Sequence, residues 1–150
     1  MSVQRWRPRL ELALTLAGIG IAGYLSYVKL FGLKPYCADI GNCDAVQSSP
    51  YAELFGIPVA VLGLGAYLAL LALWWVKQTN WRNLGELART GFFFVALVGV
   101  LFSAYLTYLE IWVIRAICPW CVASAVVLTL LFALSLLEMV SAREDQALAA

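Results

Sequence analysis

Four long apolar runs determine what this chain can fold into. They cover residues 10–31, 57–76, 91–114 and 120–140, and each is close to the ~20 residues that a helix needs to cross a ~30 Å hydrocarbon core. Only α-helices and closed β-barrels satisfy their backbone hydrogen bonds in lipid, and no run alternates between polar and apolar residues as a barrel strand does. The sequence therefore predicts an all-α polytopic membrane protein, a bundle of four transmembrane helices.

The composition agrees with a membrane protein and excludes several functions. Hydrophobic residues make up 63% of the chain and charged residues 13%, whereas soluble domains have ~25% charged residues. The formal net charge of +1 gives no reason to expect a nucleic-acid partner. Because the chain has no histidine, it lacks the commonest metal ligand, the usual general base and any histidine ligand for haem.

The basic residues predict how the bundle lies in the membrane. Seven of them precede the first run, connect the second and third, or follow the fourth, and three lie in the other two connections. The positive-inside rule therefore places both termini in the cytoplasm, and the loop 37–56 and the connection 115–120 outside. We expect a single membrane domain, 1–150, with short cytoplasmic tails. The larger group is Arg5, Arg7, Arg9, Lys77, Arg82, Arg89 and Arg143; the smaller is Lys29, Lys34 and Arg115.

A Cys-x-x-Cys motif opens the fourth run, where Cys118-Pro119-Trp120-Cys121 stands. This spacing on a helical turn brings both sulfurs to one face, close enough to form a disulfide. The N-terminus of a helix stabilises negative charge, so it favours the thiolate that attacks disulfides. On the oxidising side of a membrane, this motif predicts a redox-active pair.

A second pair, Cys37 and Cys43, lies in the outer loop, with Gly41-Asn42 between its members as a turn signal. We expect the two pairs to form a relay that takes electrons from outside and delivers them into the bilayer. Two other readings stay open, because four cysteines allow more than one pairing. The chain would then be a non-enzymatic membrane protein with structural disulfides, or with a metal site formed by all four cysteines.

A relay that delivers electrons into the bilayer needs an acceptor there. The sequence contains no glycine-rich nucleotide loop, no histidine for haem, and too few cysteines for an iron–sulfur cluster beside the relay. A lipid-soluble quinone, reached between the helices near Cys121, is the acceptor that this architecture permits.

Four motifs together resemble the vitamin K epoxide reductase family in its prokaryotic four-helix form. The resemblance covers roughly residues 10–140 and depends on the order and spacing of the motifs. A second family of four-helix disulfide-generating membrane proteins shares the chemistry, but it has the two cysteine pairs in the reverse order. The four motifs are the pair Cys37 and Cys43 with five residues between them, Ser48-Ser49, Phe55-Gly56-Ile57-Pro58, and Cys118-Pro119-Trp120-Cys121.

The resemblance implies a role for each matching residue. Cys121 matches the cysteine beside the quinone, and Cys118 matches its partner. Cys43 matches the loop cysteine that attacks the helix disulfide through a Cys43–Cys118 intermediate, and Cys37 matches the cysteine that exchanges with a thioredoxin-like donor. Ser49 matches a loop serine near the active site. The implied acceptor is ubiquinone or menaquinone, in a bacterial or archaeal cell membrane with the active site on the extracytoplasmic face.

Three departures from the family refine this expectation. The animal enzymes have a tyrosine where this chain has Ala125 and an asparagine where it has Ala52. Both positions resemble substrate hydrogen-bonding sites, so we expect plain quinone reduction rather than epoxide reduction. Some prokaryotic relatives carry a fused thioredoxin-like domain, which these 150 residues do not contain. The thiol donor is therefore expected to be a separate protein.

Overall fold

The computed structural model describes residues 2–37, 39–79 and 82–149. Four long helices, each long and apolar enough to cross a membrane, confirm the predicted all-α membrane bundle. A fifth, short helix lies between the first two long ones. In chain order, the helices are α1 (Ser2–Leu30), α2 (Cys43–Gln47), α3 (Val59–Gln78), α4 (Arg82–Tyr108) and α5 (Pro119–Ala149).

The long helices form a closed ring, in which α1 packs on α3, α3 on α4, α4 on α5, and α5 back on α1. The core between them contains Tyr67, Leu70, Phe92, Ala96 and Leu131. Many other large apolar side chains face outward, including Leu101, Val126 and Leu137. Such an apolar exterior is expected where lipid replaces water as the solvent.

Several helix ends differ from the predicted ends. Helix α1 begins at Ser2 rather than at 10, and α5 continues to Ala149 rather than ending at 140. Helix α4 begins at Arg82, well before the apolar run that starts at 91. Hydropathy marks only the part of a helix that lipid covers, whereas helical hydrogen bonding continues into the polar flanks. The predicted short tails are therefore helical wherever the structure describes them.

We call residues 31–58 the cap segment. Its described residues contain regular secondary structure, whereas the sequence predicted only an outer loop, 37–56. They contain α2, a 3₁₀ turn at Pro50–Ala52, and a two-stranded antiparallel hairpin of β1 (Glu53–Leu54) and β2 (Ile57–Pro58). Phe55 and Gly56 form the turn, with φ of 54° and 81°, as in the type I′ turns that suit hairpins. Helix α3 was predicted to start at 57, but Pro58 holds the preceding residue extended.

Helix α4 continues into a π-helix, Leu109–Ile114, which ends at Arg115 in the left-handed conformation with φ of 56°. Leu109 and Glu110 are the buried residues of this segment. Glu110 is 4% exposed, so a charged residue near the end of the third apolar run lies inside the bundle.

Small residues on α1 let α3 approach closely, as their spacing predicts. A side chain at Gly18 would collide with the ring of Tyr67, and Ala22 and Ser26 are buried on the same stripe. The hydroxyl of Ser26 donates to the carbonyl oxygen of Ala22 at 2.7 Å. The stripe therefore serves helix packing.

An ion-pair cluster joins all four long helices at the end of the bundle away from the cysteines. Lys77 Nζ lies 3.0 Å from Glu11 Oε2 and 2.7 Å from Glu138 Oε2. Arg89 Nε lies 3.1 Å from Glu138 Oε1. The side chains of Lys77 and Glu11 are almost fully buried, at 6% and 3% exposure. Each charge therefore has a partner where water is excluded.

Candidate functional site

The cap segment carries a disulfide between Cys37 and Cys43, whose Cα atoms are 6.3 Å apart. Cys43 is also the first residue of α2 and is 1% exposed, whereas Cys37 is half-buried. Asn42 caps α2, because its side-chain oxygen accepts the N–H of Ala45 at 3.2 Å. The loop cysteine pair is thus held at a defined helix start.

The loop between these cysteines is docked on the residue that precedes Cys118. The backbone N–H of Asn42 donates to the carbonyl oxygen of Ile117 at 3.0 Å. Gly41 has a φ of +108°, and a Cβ built on it would collide with the same carbonyl oxygen. Glycine is needed here both for the backbone conformation and for the close approach. The sequence indicated a turn at Gly41-Asn42 but not this contact.

Trp120, inside the Cys-x-x-Cys motif, fixes the other side of the cap segment. Its indole N–H donates to the carbonyl oxygen of Tyr36 at 2.8 Å. Its ring packs on Tyr24 of α1, with centroids 5.1 Å apart, and the Tyr24 hydroxyl accepts the N–H of Tyr36 at 3.0 Å. The motif therefore holds the chain immediately before Cys37.

Cys118 and Cys121 are free thiols at the start of α5. Cys118 is 0% exposed and forms one buried cluster with Cys43 and Val46, against which Cys37 and Cys121 also pack. A hydrogen bond from the Cys121 thiol lowers the pKa of the Cys118 thiol below its ordinary value, and this effect outweighs the opposing effect of burial. The structure therefore brings all four predicted cysteines together, and Cys118 is the thiol that is most readily ionised.

A cavity of about 540 Å³ lies inside the bundle next to these cysteines. Its walls come from the cap segment and from all four long helices, and they are mostly apolar, with residues such as Leu62, Phe94 and Val98. Of the four cysteines, all of which the structure describes, Cys121 is the one that lines it. The volume is in the ~300–1,000 Å³ range of small-molecule sites.

A comparison with known protein families matches residues 9–136 to the vitamin K epoxide reductase family. The chain belongs to this family. It is therefore a multi-pass membrane oxidoreductase with disulfide chemistry, as the motifs predicted. The family is in general linked to quinones and to thioredoxin-like partners.

Ser49, predicted from the family's loop serine, lines the cavity of this vitamin K epoxide reductase-like chain. Its hydroxyl donates to the carbonyl oxygen of Val46 at 2.7 Å. This bond secures the turn that follows α2. Ala52, one of the two departures from the animal enzymes, also lines the cavity. The other, Ala125, lies on α5, one helical turn after Cys121.

Four polar residues near Cys121 were not predicted as site residues. The amide nitrogen of Gln47 lies 4.0 Å from Cys121 Sγ. The Tyr67 hydroxyl shares a 2.8 Å hydrogen bond with the Ser124 hydroxyl. Glu110 Oε2 accepts the backbone N–H of Cys118 at 3.2 Å. All four line the cavity. The only signal in the sequence was the unusual polarity at the end of the third apolar run.

The positions of the possible metal-ligating side chains bear on the alternative of a metal site. Within residues 2–37, 39–79 and 82–149, no group of three or more histidine, cysteine, aspartate or glutamate side chains is arranged to hold a metal ion. Cys37 and Cys43 are joined to each other, so their sulfurs serve as disulfide partners in this state.

Proposed function

We propose that this chain is a thiol–quinone oxidoreductase, which oxidises a separate thioredoxin-like protein and reduces a membrane quinone, and so drives disulfide formation in exported proteins. One observation carries the proposal: Cys121 lines the cavity, while its partner Cys118 shares a buried cluster with the loop cysteine Cys43. The two pairs thus offer a route from the cap segment to the bundle interior.

The exposure of the four cysteines supports a direction for this route. Cys37 is half-buried and Cys43 is buried, so an incoming thiolate attacks Cys37 and releases Cys43 as the leaving thiolate. Cys43 then attacks Cys118 when Cys118 and Cys121 form a disulfide, because exchange proceeds through a mixed disulfide. Cys37, once released by the donor, attacks Cys43 and closes the loop disulfide again. Cys118 leaves as a thiolate, so the Cys118–Cys121 pair is now reduced. One donor dithiol becomes a disulfide in each cycle.

The cavity fits the head group of a quinone. Apolar walls suit a ring with a hydrocarbon tail, and the few polar groups converge near Cys121. A bound quinone would supply the acceptor for the two electrons of the dithiol and would take up two protons in all. Either ubiquinone or menaquinone is compatible with these walls. Ala52 offers no side-chain hydrogen bond to an epoxide oxygen, which favours plain quinone reduction.

Ser49 is proposed as a positioning residue rather than as a group that reacts. Its bond to Val46 fixes the turn after α2, and that turn carries Gln47 to within 4.0 Å of Cys121. We also propose that residues 1–150 act as one membrane domain with the cysteine end facing outward. The seven-to-three distribution of basic residues supports this orientation.

The test is a quinone-reduction assay on purified protein, with water-soluble ubiquinone and menaquinone analogues. Dithiothreitol and a reduced thioredoxin-like protein serve as alternative donors. Cys121→Ala should abolish reduction with both donors. Cys37→Ala is the matched control: it should lose activity with the protein donor and keep most of it with dithiothreitol, which is small enough to reach the helix pair directly. Activity of Cys121→Ala equal to that of wild type would favour structural disulfides.

A further inference from the structure

Glu110 is buried in the bundle without a basic partner. Within the described residues, Glu11 and Glu138 each pair with Lys77, whereas no lysine or arginine forms a salt bridge with Glu110. A buried carboxyl group inside a membrane bundle is costly and is commonly found where protons or substrates move. Its position at the cavity therefore calls for an explanation.

Glu110 lies beside the two cysteines of the motif. Its Oε2 accepts the backbone N–H of Cys118 at 3.2 Å, and Glu110 and Cys121 line the same cavity. The π-helix Leu109–Ile114 gives the geometry, because it places Glu110 on the inward face, below the start of α5. π-Helical turns occur frequently at functional sites.

Other polar groups at the cavity are less suited to moving a proton. The Tyr67 hydroxyl is engaged with Ser124, and the Ser49 hydroxyl donates to Val46. Gln47 has no ionisable group, and the chain contains no histidine. The carboxyl group of Glu110 accepts the backbone N–H of Cys118 and lines, together with Cys121, the space that a quinone would occupy.

We infer that Glu110 is a catalytic proton carrier, which takes the proton of the Cys121 thiol as the Cys118–Cys121 disulfide forms and passes it to the quinone oxygen in the cavity. This inference rests on the proposed function. Disulfide formation breaks two S–H bonds, forms one S–S bond and releases two electrons and two protons. Both electrons go to the quinone. One proton travels through Glu110, which returns to the carboxylate; the other is lost from Cys118 to water, and the quinone takes one back from water.

A purely positioning role is the alternative that the experiment must separate. The bond from the Cys118 N–H holds the start of α5, and a carboxylate is favourable at a helix N-terminus. A glutamine side chain keeps an oxygen that can accept this N–H, but it cannot take a proton. Glu110→Gln therefore removes proton transfer while it keeps the capping bond.

The experiment compares wild type, Glu110→Gln and Glu110→Asp in quinone reduction driven by dithiothreitol. Glu86→Gln is the control, because Glu86 is an exposed acid at the other end of the bundle. We expect Glu110→Gln to lower kcat by ~10²-fold or more and to change its pH profile. Glu110→Asp should recover part of the rate, and Glu86→Gln should behave as wild type.

A second readout needs no quinone. When a soluble disulfide oxidises the thiols in the absence of a quinone, the proton of Cys121 has no quinone oxygen to go to and stays on Glu110. Infrared difference spectra between the dithiothreitol-reduced and this oxidised protein should therefore contain a carboxylic-acid C=O band. The band should vanish in Glu110→Gln and shift in Glu110→Asp. If Glu110→Gln does not fold, a shift of the band between the wild-type and Glu110→Asp spectra still shows whether this carboxyl group takes up the proton.

The outcomes separate the inference from the function on which it rests. A wild-type protein that reduces no quinone refutes the proposed function, and the infrared band then decides whether Glu110 exchanges protons with the thiols. A Glu110→Gln protein with the wild-type kcat, pH profile and difference spectrum overturns the inference and leaves the quinone reductase intact.

Discussion

Trp120 donates its indole N–H to the carbonyl oxygen of Tyr36 at 2.8 Å, and so links the middle of one cysteine motif to the residue before the other. Together with the bond from Asn42 to Ile117, it closes the cap segment over Cys118. In the proposed relay, Cys43 and Cys118 have to meet, so the strength of this closure would set how often they do. The closure is built from a few bonds that single substitutions can weaken.

The Trp120 bond can be removed without losing the ring. Trp120→Phe keeps the packing on Tyr24 but loses the hydrogen bond, which contributes ~0.5–1.5 kcal/mol. We expect the cap segment to open about 2- to 10-fold more often. The measurement is the rate of Cys118 alkylation by a maleimide, located by mass spectrometry. Trp75→Phe, an exposed tryptophan at the far end of α3, should leave the rate unchanged; an equal effect of both variants would contradict the closure.

A substitution of Gly41 tests the second contact that closes the cap segment, the backbone hydrogen bond from Asn42 to Ile117. Gly41→Ala adds the left-handed strain of a φ of +108° and a collision with the Ile117 carbonyl oxygen, at a cost of ~1–3 kcal/mol or more. We expect faster Cys118 alkylation and a reduced rate with a protein donor. Gly32→Ala is the matched control, because Gly32 has a φ of +66° but open space around it. If both variants open the cap segment equally, strain alone explains the effect.

The lowered pKa of Cys118 predicts a pH dependence. The hydrogen bond from Cys121 stabilises the Cys118 thiolate, so Cys118 should be alkylated at pH values below those at which an ordinary thiol reacts. Because the pKa is lower in the folded state, the reduced protein gains stability as the pH rises from that lowered pKa towards the ordinary thiol value of ~8.5. This gain is lost as the pH falls again.

Two variants at position 121 check the cause of this shift. Cys121→Ala removes the hydrogen-bond donor and should move the midpoint of Cys118 alkylation to higher pH. Cys121→Ser keeps a hydroxyl donor in nearly the same place, so it should retain most of the shift. The rate at each pH is compared with that of a denatured sample. Identical midpoints for the two variants would show that another group lowers the pKa.

The ion-pair cluster predicts a stability effect at the other end of the bundle. Lys77→Met leaves the buried Glu11 without its partner, and breaking a buried pair in this way costs ~3–5 kcal/mol. The double variant Glu11→Gln, Lys77→Met should be considerably more stable than the single variant, because Glu138 keeps Arg89. Thermal unfolding in detergent measures both. Glu86→Gln alters an exposed pair and should cost little.

The sequence was sufficient for the helices and for the cysteines. Apolar runs of membrane length have few alternatives to a spanning helix. The spacing of Cys118 and Cys121 places their two thiols within one helical turn. Both predictions depend on neighbours along the chain. The helix ends were less well predicted, since Arg82 and Ser2 continue their helices beyond the apolar part.

The remainder of the site depends on contacts between distant segments. No local pattern shows that Gly41 will approach Ile117, because the two residues are far apart in the chain. Glu110 is buried within a π-helix, and the period of a regular α-helix does not predict such a turn. Gln47 lies at the end of a short helix that Asn42 caps. These features follow from packing rather than from periodicity.

The relay itself predicts a mixed disulfide between Cys43 and Cys118. In the double variant Cys37→Ala, Cys121→Ala each of these thiols has lost its own partner, so neither can resolve the bridge. They already share one buried cluster, and a disulfide can form where their Cα atoms come within ~7 Å. We expect mild oxidation to join the cap segment to α5.

Cleavage at a protease site inserted between α3 and α4 makes this bridge visible on a gel. The two halves should migrate together without reductant and separate when it is added. The control is Cys37→Ala, Cys118→Ala, which keeps Cys43 and Cys121. Cys121 lines the cavity and is only partly buried against the cluster that contains Cys43 and Cys118, so these halves should separate in both conditions. Linkage in the control, or free thiols in both variants after oxidation, would mean that electrons do not pass from Cys43 to Cys118, and that the two pairs act independently.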